Sequence, residues 1–252
     1  MKPNERIIIA LDVDSANEAE YLVRILSEEI EIFKIGPGLF IQEGPMLIKR
    51  LRAFGARKIF LDLKIHDIPQ TTQQTIKAVM KLGVDMVTCY VDQIDVFDGL
   101  DTNSICILGV TVLTSLSNSD LLITSYSGHE SRILPNNNIS HIDALKTLVL
   151  HRAQLAMQAG CHGVICSGLE VKEARKILDP KTIIVCPGIR FPCSDLNDQK
   201  RVVFPGNAVL NGATYIVIGR PVIKSDDPLM AVQKIVKDIE GESIRRKILR
   251  KE

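Results

Sequence analysis

The stretch KIFLDLKIHDIPQTTQQTIKAVMKLGVDMVTCYV, residues 58–91, contains two apolar runs separated by an amphipathic segment. The runs at 58–67 and 86–91 are largely continuous rather than alternating, which is typical of parallel strands covered on both faces. The segment at 70–83 has helical periodicity and ends at a glycine, a common helix C-cap. This part of the chain therefore predicts a strand, a helix and a second, parallel strand.

The same unit recurs along the 252 residues. Apolar runs that predict strands occur at 6–13, 31–36, 58–67, 86–91, 105–113, 163–168, 182–189 and 215–222. Amphipathic segments that predict helices occur at 15–28, 45–55, 70–83, 139–160, 169–178 and 228–249. Eight such alternations over about 250 residues predict an α/β protein with a (β/α)₈ TIM-barrel fold, in a single domain spanning residues 1–252. A doubly wound open sheet is the alternative.

One segment interrupts this rhythm. Residues 115–140, SLSNSDLLITSYSGHESRILPNNNIS, are rich in serine and asparagine and predict a longer loop insertion after the fifth strand. In a barrel this loop would lie on the active-site face, where it could serve as a lid. A tolerated surface insertion is the other interpretation.

The composition is that of an ordinary globular protein, with 46% hydrophobic and 24% charged residues. A net charge of +1 favours neither nucleic acid nor an anionic membrane as a partner. No stretch approaches the length of a membrane span, and the N-terminus does not resemble a signal peptide. The six cysteines form no CxxC pair, so we expect reduced thiols in a cytoplasmic protein.

Polar and charged residues gather where the predicted strands end. In a TIM barrel, catalysis occurs at the C-terminal ends of the strands. One such residue alone is more often a helix cap or an ion-pair partner, but a whole set on one rim indicates an active site. The set consists of Asp12, Lys34, Asp62, Lys64, Asp67, Thr114, Arg190 and Arg220.

The third strand carries the densest group of charges. Asp62 and Lys64 are two residues apart, so strand periodicity places both side chains on one face. Pro69 ends the strand, so parity does not predict the direction of Asp67. Neighbouring carboxylates would keep Lys64 protonated, and a protonated lysine can act as a general acid. A carboxylate beside it could also repel an anionic group that leaves the substrate as a neutral molecule.

A phosphate site is predicted on the other side of the rim. The stretch VIGRPV (217–222) places Gly219 and Arg220 after the eighth strand, where TIM barrels commonly bind phosphate. Glycine allows close approach of backbone N–H groups, and arginine binds phosphate through a planar fork. The stretch CPGIR adds Arg190, and Gln199 could supply a neutral donor.

Two other classes of site are not supported by the sequence. The histidines show no metal-ligand spacing, so we expect no metal. His66 is interpreted as a structural hydrogen-bonding residue rather than a catalyst. The glycines of GPG (36–38) lack the remaining features of a dinucleotide-binding motif.

Taken in order, several motifs resemble the orotidine 5′-phosphate decarboxylase family, whose reaction makes UMP in pyrimidine synthesis. The resemblance extends over nearly the whole chain. It rests on ALDV (10–13), FKIG (33–36), FLDLKIHDIPQT (60–71), VTVLTS (110–115), CPGIR (186–190) with DQKR (198–201), and VIGRPV (217–222).

The resemblance implies a cofactor-free barrel that acts as a homodimer, with each active site completed by the neighbouring chain. It implies that Lys64 donates a proton to C6 of the pyrimidine, and that Lys34, Asp62 and Asp67 complete the charged array. Asp67 would reach across the dimer with Ile68 and Thr71. Asp12 would bind the ribose and Thr114 the pyrimidine. The phosphate would be bound by Arg190, Gln199, Gly219 and Arg220.

The chain departs from this family's pattern after the fourth strand. The family usually has Asn-Val-His-Ala followed by paired glycines, whereas this chain reads TCYVDQID (88–95), with Tyr90 in the histidine position. Two other functions remain open at this point. One is a metal-dependent sugar-phosphate decarboxylase on the same scaffold, against which the IPxT and PGIR motifs argue. The other is a barrel that binds nucleotide without catalysis.

Overall fold

The computed structural model describes residues 1–117, Asp120, 141–190 and 203–249. Its eight strands are all parallel and form a closed barrel in chain order, each paired with the next and β8 with β1. The strands are β1 (Ile7–Ala10), β2 (Ile32–Ile35), β3 (Lys58–Ile65), β4 (Met86–Cys89), β5 (Cys106–Val110), β6 (Gly163–Ile165), β7 (Ile183–Cys186) and β8 (Tyr215–Ile218).

Helices follow most of the strands. A 3₁₀ turn at Asn4–Arg6 precedes β1. The α-helices of the described residues are α1 (Ala16–Leu26), α2 (Pro37–Glu43), α3 (Met46–Ala53), α4 (Pro69–Lys81), α5 (His141–Gln158), α6 (Val171–Ile177), α7 (Pro205–Leu210), α8 (Arg220–Ile223) and α9 (Pro228–Leu249).

The TIM-barrel prediction is confirmed, and each of the eight predicted strands is present. All six predicted helices are also present, whereas the short helices α2, α7 and α8 were not predicted. The insertion predicted at 115–140 lies almost entirely outside the described residues, so its role as a lid or a surface loop stays open.

Apolar residues on the strands divide between two cores. Outward-facing residues such as Ile9 and Phe33 pack beneath the helices in a large continuous cluster. Inward-facing residues fill the barrel in a smaller cluster. Its members are Ile8, Ala10, Ile32, Phe60, Met86, Leu108, Val185 and Val217. Both faces of each strand are thus covered, which explains why the sequence shows continuous apolar runs.

Arginines hold the N-terminal end of the barrel together. Arg175 on α6 donates to the carbonyls of Thr182 at 2.9 Å and Gly212 at 2.9 Å, just before β7 and β8. Arg52 on α3 donates to the carbonyl of Gly83 and to the carboxylate of Asp85, just before β4. At this end the charges satisfy backbone groups that strand pairing leaves unpaired.

Candidate active site

The inward face of the strands changes from apolar to polar at the C-terminal end of the barrel. Two residues beyond an inward core residue, the same face presents a polar side chain, because strand side chains alternate with a period of two. The pairs of core and polar residues are Ala10 and Asp12, Ile32 and Lys34, Phe60 and Asp62, and Met86 and Thr88. The fold therefore collects polar groups from separate strands above a sealed apolar interior.

The polar members of these pairs line a cavity of about 270 Å³ at the barrel mouth. Of the described residues that line it, four are cationic, namely Lys34, Lys64, Arg190 and Arg220, whereas two are acidic, Asp12 and Asp62. An excess of positive charge in a partly enclosed site favours an anionic ligand.

Asp62 links the two lysines of the cavity. Its Oδ1 atom accepts a hydrogen bond from Lys64 Nζ at 2.9 Å, and its Oδ2 atom lies 3.4 Å from Lys34 Nζ. Lys34 Nζ also donates to Asp12 Oδ1 at 3.2 Å. The four side chains form an alternating row in the order Asp12, Lys34, Asp62 and Lys64. Each interior cation in this row therefore has a carboxylate partner, as buried charges require.

A break in the β3–β4 ladder shapes the position of Lys64. Leu61 pairs with Val87, but the next pair is Ile65 with Cys89, so β3 contains two more residues than β4 over this interval. Within this bulge Lys64 has a φ of 51°, in the left-handed region that a non-glycine residue seldom adopts. Asp62 and Lys64 do meet, as predicted, but through a bulge rather than through regular alternation alone. Bulges often redirect side chains next to active sites.

The surroundings of Asp62 favour its charged form. Burial by itself would raise the pKa of this carboxyl, but the charges of Lys34 and Lys64 and the hydrogen bonds from Lys64 and Thr88 lower it below its ordinary value of 3.8. Asp62 is therefore a carboxylate at neutral pH.

The residues predicted to bind phosphate lie across the barrel mouth from Asp62 and Lys64. In a ring of eight strands β7 is diametrically across from β3, and Arg190, which follows β7, is buried and lines the cavity. Arg220 begins α8 and also lines it. A Cβ atom at Gly219 would lie 3.4 Å from Ala10 Cβ and from Asp12 Oδ2, so glycine leaves room that a side chain would fill. Thr114 lines the same cavity.

Three predicted site residues do not line this cavity. Asp67 and Ile68 are exposed on the loop after β3, and Thr71 is half-buried on α4. Asp67 Oδ1 accepts a hydrogen bond from the backbone N–H of Ile68. Their predicted role in a neighbouring chain's site stays a prediction. Gln199 lies outside the described residues.

Residues 5–235 match the model of the orotidine 5′-phosphate decarboxylase / HUMPS family. The chain belongs to this family. The predicted resemblance is thus confirmed, and the matched region includes every residue of the site described above.

Relatives of this family are similar to the chain over nearly its full length. An orotidine 5′-phosphate decarboxylase of Desulfosudis oleivorans is 38% identical over 94% of both chains. One from Coxiella burnetii is 36% identical, covering 94% of this chain and 98% of the relative. The crystal structure of orotidine 5′-phosphate decarboxylase from Lactobacillus acidophilus, 32% identical, aligns with a TM-score of 0.72 over 93% of this chain and 99% of the other.

Two residues after β4, in the segment that differs from the family pattern, contact His66. They are Tyr90 and Asp92. His66 Nε2 lies 2.5 Å from Asp92 Oδ2, and the His66 ring lies 5.2 Å from that of Tyr90. This pairing agrees with the interpretation of His66 as a structural hydrogen-bonding residue. None of these three residues lines the cavity formed by the described part of the chain.

One polar residue that contacts the charged row was not predicted from the sequence. Thr88 is buried in β4, lines the cavity and donates to Asp62 Oδ1 at 2.9 Å. Threonine is common in strands, so its presence in the apolar run MVTCYV carries no signal by itself. Its inward position follows from its place two residues after Met86.

Proposed function

We propose that the protein converts orotidine 5′-phosphate to UMP and carbon dioxide without a cofactor, in de novo pyrimidine biosynthesis. It is thus a carboxy-lyase. Membership of the family and the names of the relatives support this reaction. The observation that carries the mechanism is the position of Lys64, whose ammonium group is held by Asp62 in a cavity that is also lined by Arg190 after β7 and Arg220 after β8.

The chemistry explains why a lysine is needed. When the bond between C6 and the carboxyl carbon breaks, its electron pair stays on C6 in the plane of the ring, where delocalisation is slight. Lys64 supplies a preorganised positive charge beside this carbon and then transfers its proton to it. The products are carbon dioxide, UMP and a neutral lysine that is reprotonated from solvent. Lys34 and Asp62 hold this charge in place.

The rest of the substrate determines its orientation. In this proposal the phosphate is bound by Arg190, Gly219 and Arg220, which line the cavity, and by Gln199. Asp12 binds the ribose, and Thr114 contacts the pyrimidine. A phosphate held opposite β3 places the pyrimidine towards Lys64, so binding energy from a remote group assists the reaction at C6.

We further propose that the protein acts as a homodimer in which Asp67, Ile68 and Thr71 reach the neighbour's site. Ile68 is 64% exposed although it is large and apolar, and Ile94 beyond β4 is 59% exposed. Both residues follow strands at the C-terminal end of the barrel, Ile68 after β3 and Ile94 after β4. Exposed apolar side chains at this end of the barrel fit contact with a second copy of the chain.

Mixing two inactive variants tests this arrangement. In a mixture of Lys64→Ala and Asp67→Ala chains, one site of each mixed dimer receives only intact residues, so about a quarter of the wild-type sites should regain activity. A mixture that exchanges subunits and shows no recovery would place Asp67 in its own chain's site.

The proposed cellular setting is the cytoplasm. Reduced cysteines are typical of this compartment, and the described cysteines form no disulfide with one another; they are Cys89, Cys106, Cys161, Cys166 and Cys186. Among the described residues, no helix is long and apolar enough to cross a membrane.

A metal-dependent sugar-phosphate decarboxylase is the second candidate, because it would share the Asp-x-Lys-x-x-Asp pattern that Asp62, Lys64 and Asp67 form in this sequence. A direct assay distinguishes the two. We expect the purified protein to form UMP from orotidine 5′-phosphate, with activity unchanged after treatment with EDTA. Failure to form UMP would refute the proposed function, and loss of activity that returns with a divalent metal would refute the cofactor-free mechanism.

A further inference from the structure

The side chain of Thr88 connects the charged row to the bulge in β3. We propose that Thr88 is a positioning residue whose hydroxyl group holds Lys64 and Asp62 in register for proton transfer. This inference rests on the proposed function, because it assigns a role within that same site.

The bulge leaves the backbone of β3 without its regular partner. Between the pairs Leu61–Val87 and Ile65–Cys89, Thr88 is the single β4 residue that faces the extra residues of β3. Its Oγ1 atom accepts a hydrogen bond from the backbone N–H of Lys64 at 2.8 Å. The hydroxyl thus replaces the carbonyl that a regular ladder would offer. It also stabilises Lys64 in its left-handed conformation, which is unfavourable for a non-glycine residue.

The same hydroxyl has only one proton to donate. Because an amide N–H can only donate, the Lys64 N–H occupies a lone pair of Oγ1, and the hydroxyl proton points to Asp62 Oδ1, 2.9 Å away. That carboxylate oxygen also accepts from Lys64 Nζ at 2.9 Å. Thr88 therefore touches both ends of the catalytic lysine, directly at its backbone and through Asp62 at its ammonium group.

Three hydrogen bonds close a small ring. The backbone N–H of Lys64 donates to the Thr88 hydroxyl, and that hydroxyl donates to the Asp62 carboxylate. The carboxylate in turn accepts from the ammonium group of Lys64. Thr88 is only 1% exposed, so water cannot easily replace its hydroxyl. Removing it would take away the acceptor of the Lys64 N–H group and one of the two hydrogen bonds that Asp62 Oδ1 accepts, and would free the bulge to relax.

Thr88→Val tests the proposal, because valine keeps the shape and removes both hydrogen bonds. Thr88→Ser keeps the hydroxyl. Thr111→Val is the matched control, since Thr111 is also fully buried just beyond a neighbouring strand, but its hydroxyl donates to the carbonyl of Ile165, 2.7 Å away. Each kcat is expressed per site that binds UMP, so that misfolded protein is not counted.

We expect kcat of Thr88→Val to fall by about 10- to 100-fold, the range for small misplacements of a catalytic group. The KM for orotidine 5′-phosphate should change by less than about threefold, because the proposed phosphate contacts on β7 and β8 are untouched. Thr88→Ser and Thr111→Val should keep kcat within about threefold of wild type. If Thr88→Val does not fold, Thr88→Cys takes its place, since a thiol of similar volume is a weak donor and acceptor.

Several outcomes would overturn the inference. They are a kcat of the valine or cysteine variant close to wild type, an equal loss in the serine variant, or an equal loss in Thr111→Val. If the unaltered protein forms UMP and the variants behave in this way, only the role of Thr88 fails. If the unaltered protein forms no UMP, the proposed function fails and the role of Thr88 fails with it.

Discussion

The two ends of this barrel use charged side chains in opposite ways. At the N-terminal end, Arg175 and Arg52 donate to backbone carbonyls and hold adjacent loops together. At the C-terminal end, Lys34 and Lys64 pair with Asp62 inside a cavity. The first end stabilises the fold, whereas the second keeps charges together that would separate without the surrounding structure. Stability and chemistry should therefore respond to different substitutions.

The largest expected effect lies at the C-terminal end. Lys64→Ala should reduce kcat by more than the 10²- to 10³-fold that loss of one preorganised donor costs in other enzymes, because Lys64 is also the proposed proton source. Its melting temperature should stay close to that of wild type.

Lys58→Ala is the matched control for this prediction. Lys58 begins the same strand at the opposite end and pairs with the surface residue Glu31 at 3.5 Å. Its removal should leave kcat unchanged and cost at most about 1 kcal/mol. The roles of the two ends would have to be reconsidered if Lys64→Ala kept more than about a tenth of wild-type kcat.

Replacing an arginine at the N-terminal end should have the opposite effect, a loss of stability without a loss of kcat. Arg175→Met should destabilise the fold by about 2–3 kcal/mol, because carbonyls before β7 and β8 lose a charged donor. This corresponds to a fall in melting temperature of roughly 4–12 °C for a chain of this size.

Activity supplies the second measurement for this variant. The kcat of correctly folded Arg175→Met, measured well below its melting temperature, should match that of wild type. Lys172→Met is the control, since Lys172 is exposed on the same helix. A loss of kcat in Arg175→Met without loss of stability would show that the two ends are coupled.

The strands could be predicted from the sequence because their signal is local. Continuous apolar runs such as IIIA in β1 and YIVI in β8 reflect burial on both faces. Helix α2 was missed because it has seven residues and buries only Leu39, so no amphipathic pattern develops. Its boundaries depend instead on Pro37 and on Gly44, whose φ is 68°.

The candidate site could be predicted only in part. Charged residues at strand ends were visible because charges are unusual in apolar runs, as with Asp62 and Lys64. The role of Thr88 was not visible, because it depends on a register shift between two strands that no local pattern encodes. The positive φ of Lys64 is hidden for the same reason, since left-handed lysines are rare.

A smaller effect is expected at the phosphate side. A charge-assisted contact contributes about 1.5–3 kcal/mol, so Arg220→Ala should lower kcat/KM for orotidine 5′-phosphate by about 10- to 150-fold. The same nucleoside without its phosphate should react equally slowly with wild type and variant. Lys224→Ala is the control, because Lys224 is exposed just after α8 and does not line the cavity. Equal losses for both substrates would mean that Arg220 acts on the fold or on the chemistry.

The smallest expected effect concerns the pH dependence of stability at the C-terminal end. The pKa of Asp62 is below its ordinary value, because the charges of Lys34 and Lys64 and the hydrogen bonds outweigh the opposing effect of burial. A lowered carboxyl pKa adds stability that is fully present above the unfolded value near 3.8 and is lost as the pH falls through the folded-state pKa. The contribution changes by at most about 1.4 kcal/mol per pH unit, since one proton is involved.

Comparing wild type with Asp62→Asn isolates this contribution. Asparagine has a similar shape but cannot ionise, so the difference in free energy of unfolding between the two proteins should be largest at pH 7 and shrink towards pH 3. Urea unfolding at a series of pH values measures it. Asp85→Asn provides the comparison at the N-terminal end, where Asp85 binds Arg52 and the backbone N–H of Ile59. A difference for Asp62→Asn that stays constant from pH 7 to pH 3 would show that its carboxylate gains nothing from the two lysines. The row of charges would then be held in place by the fold alone.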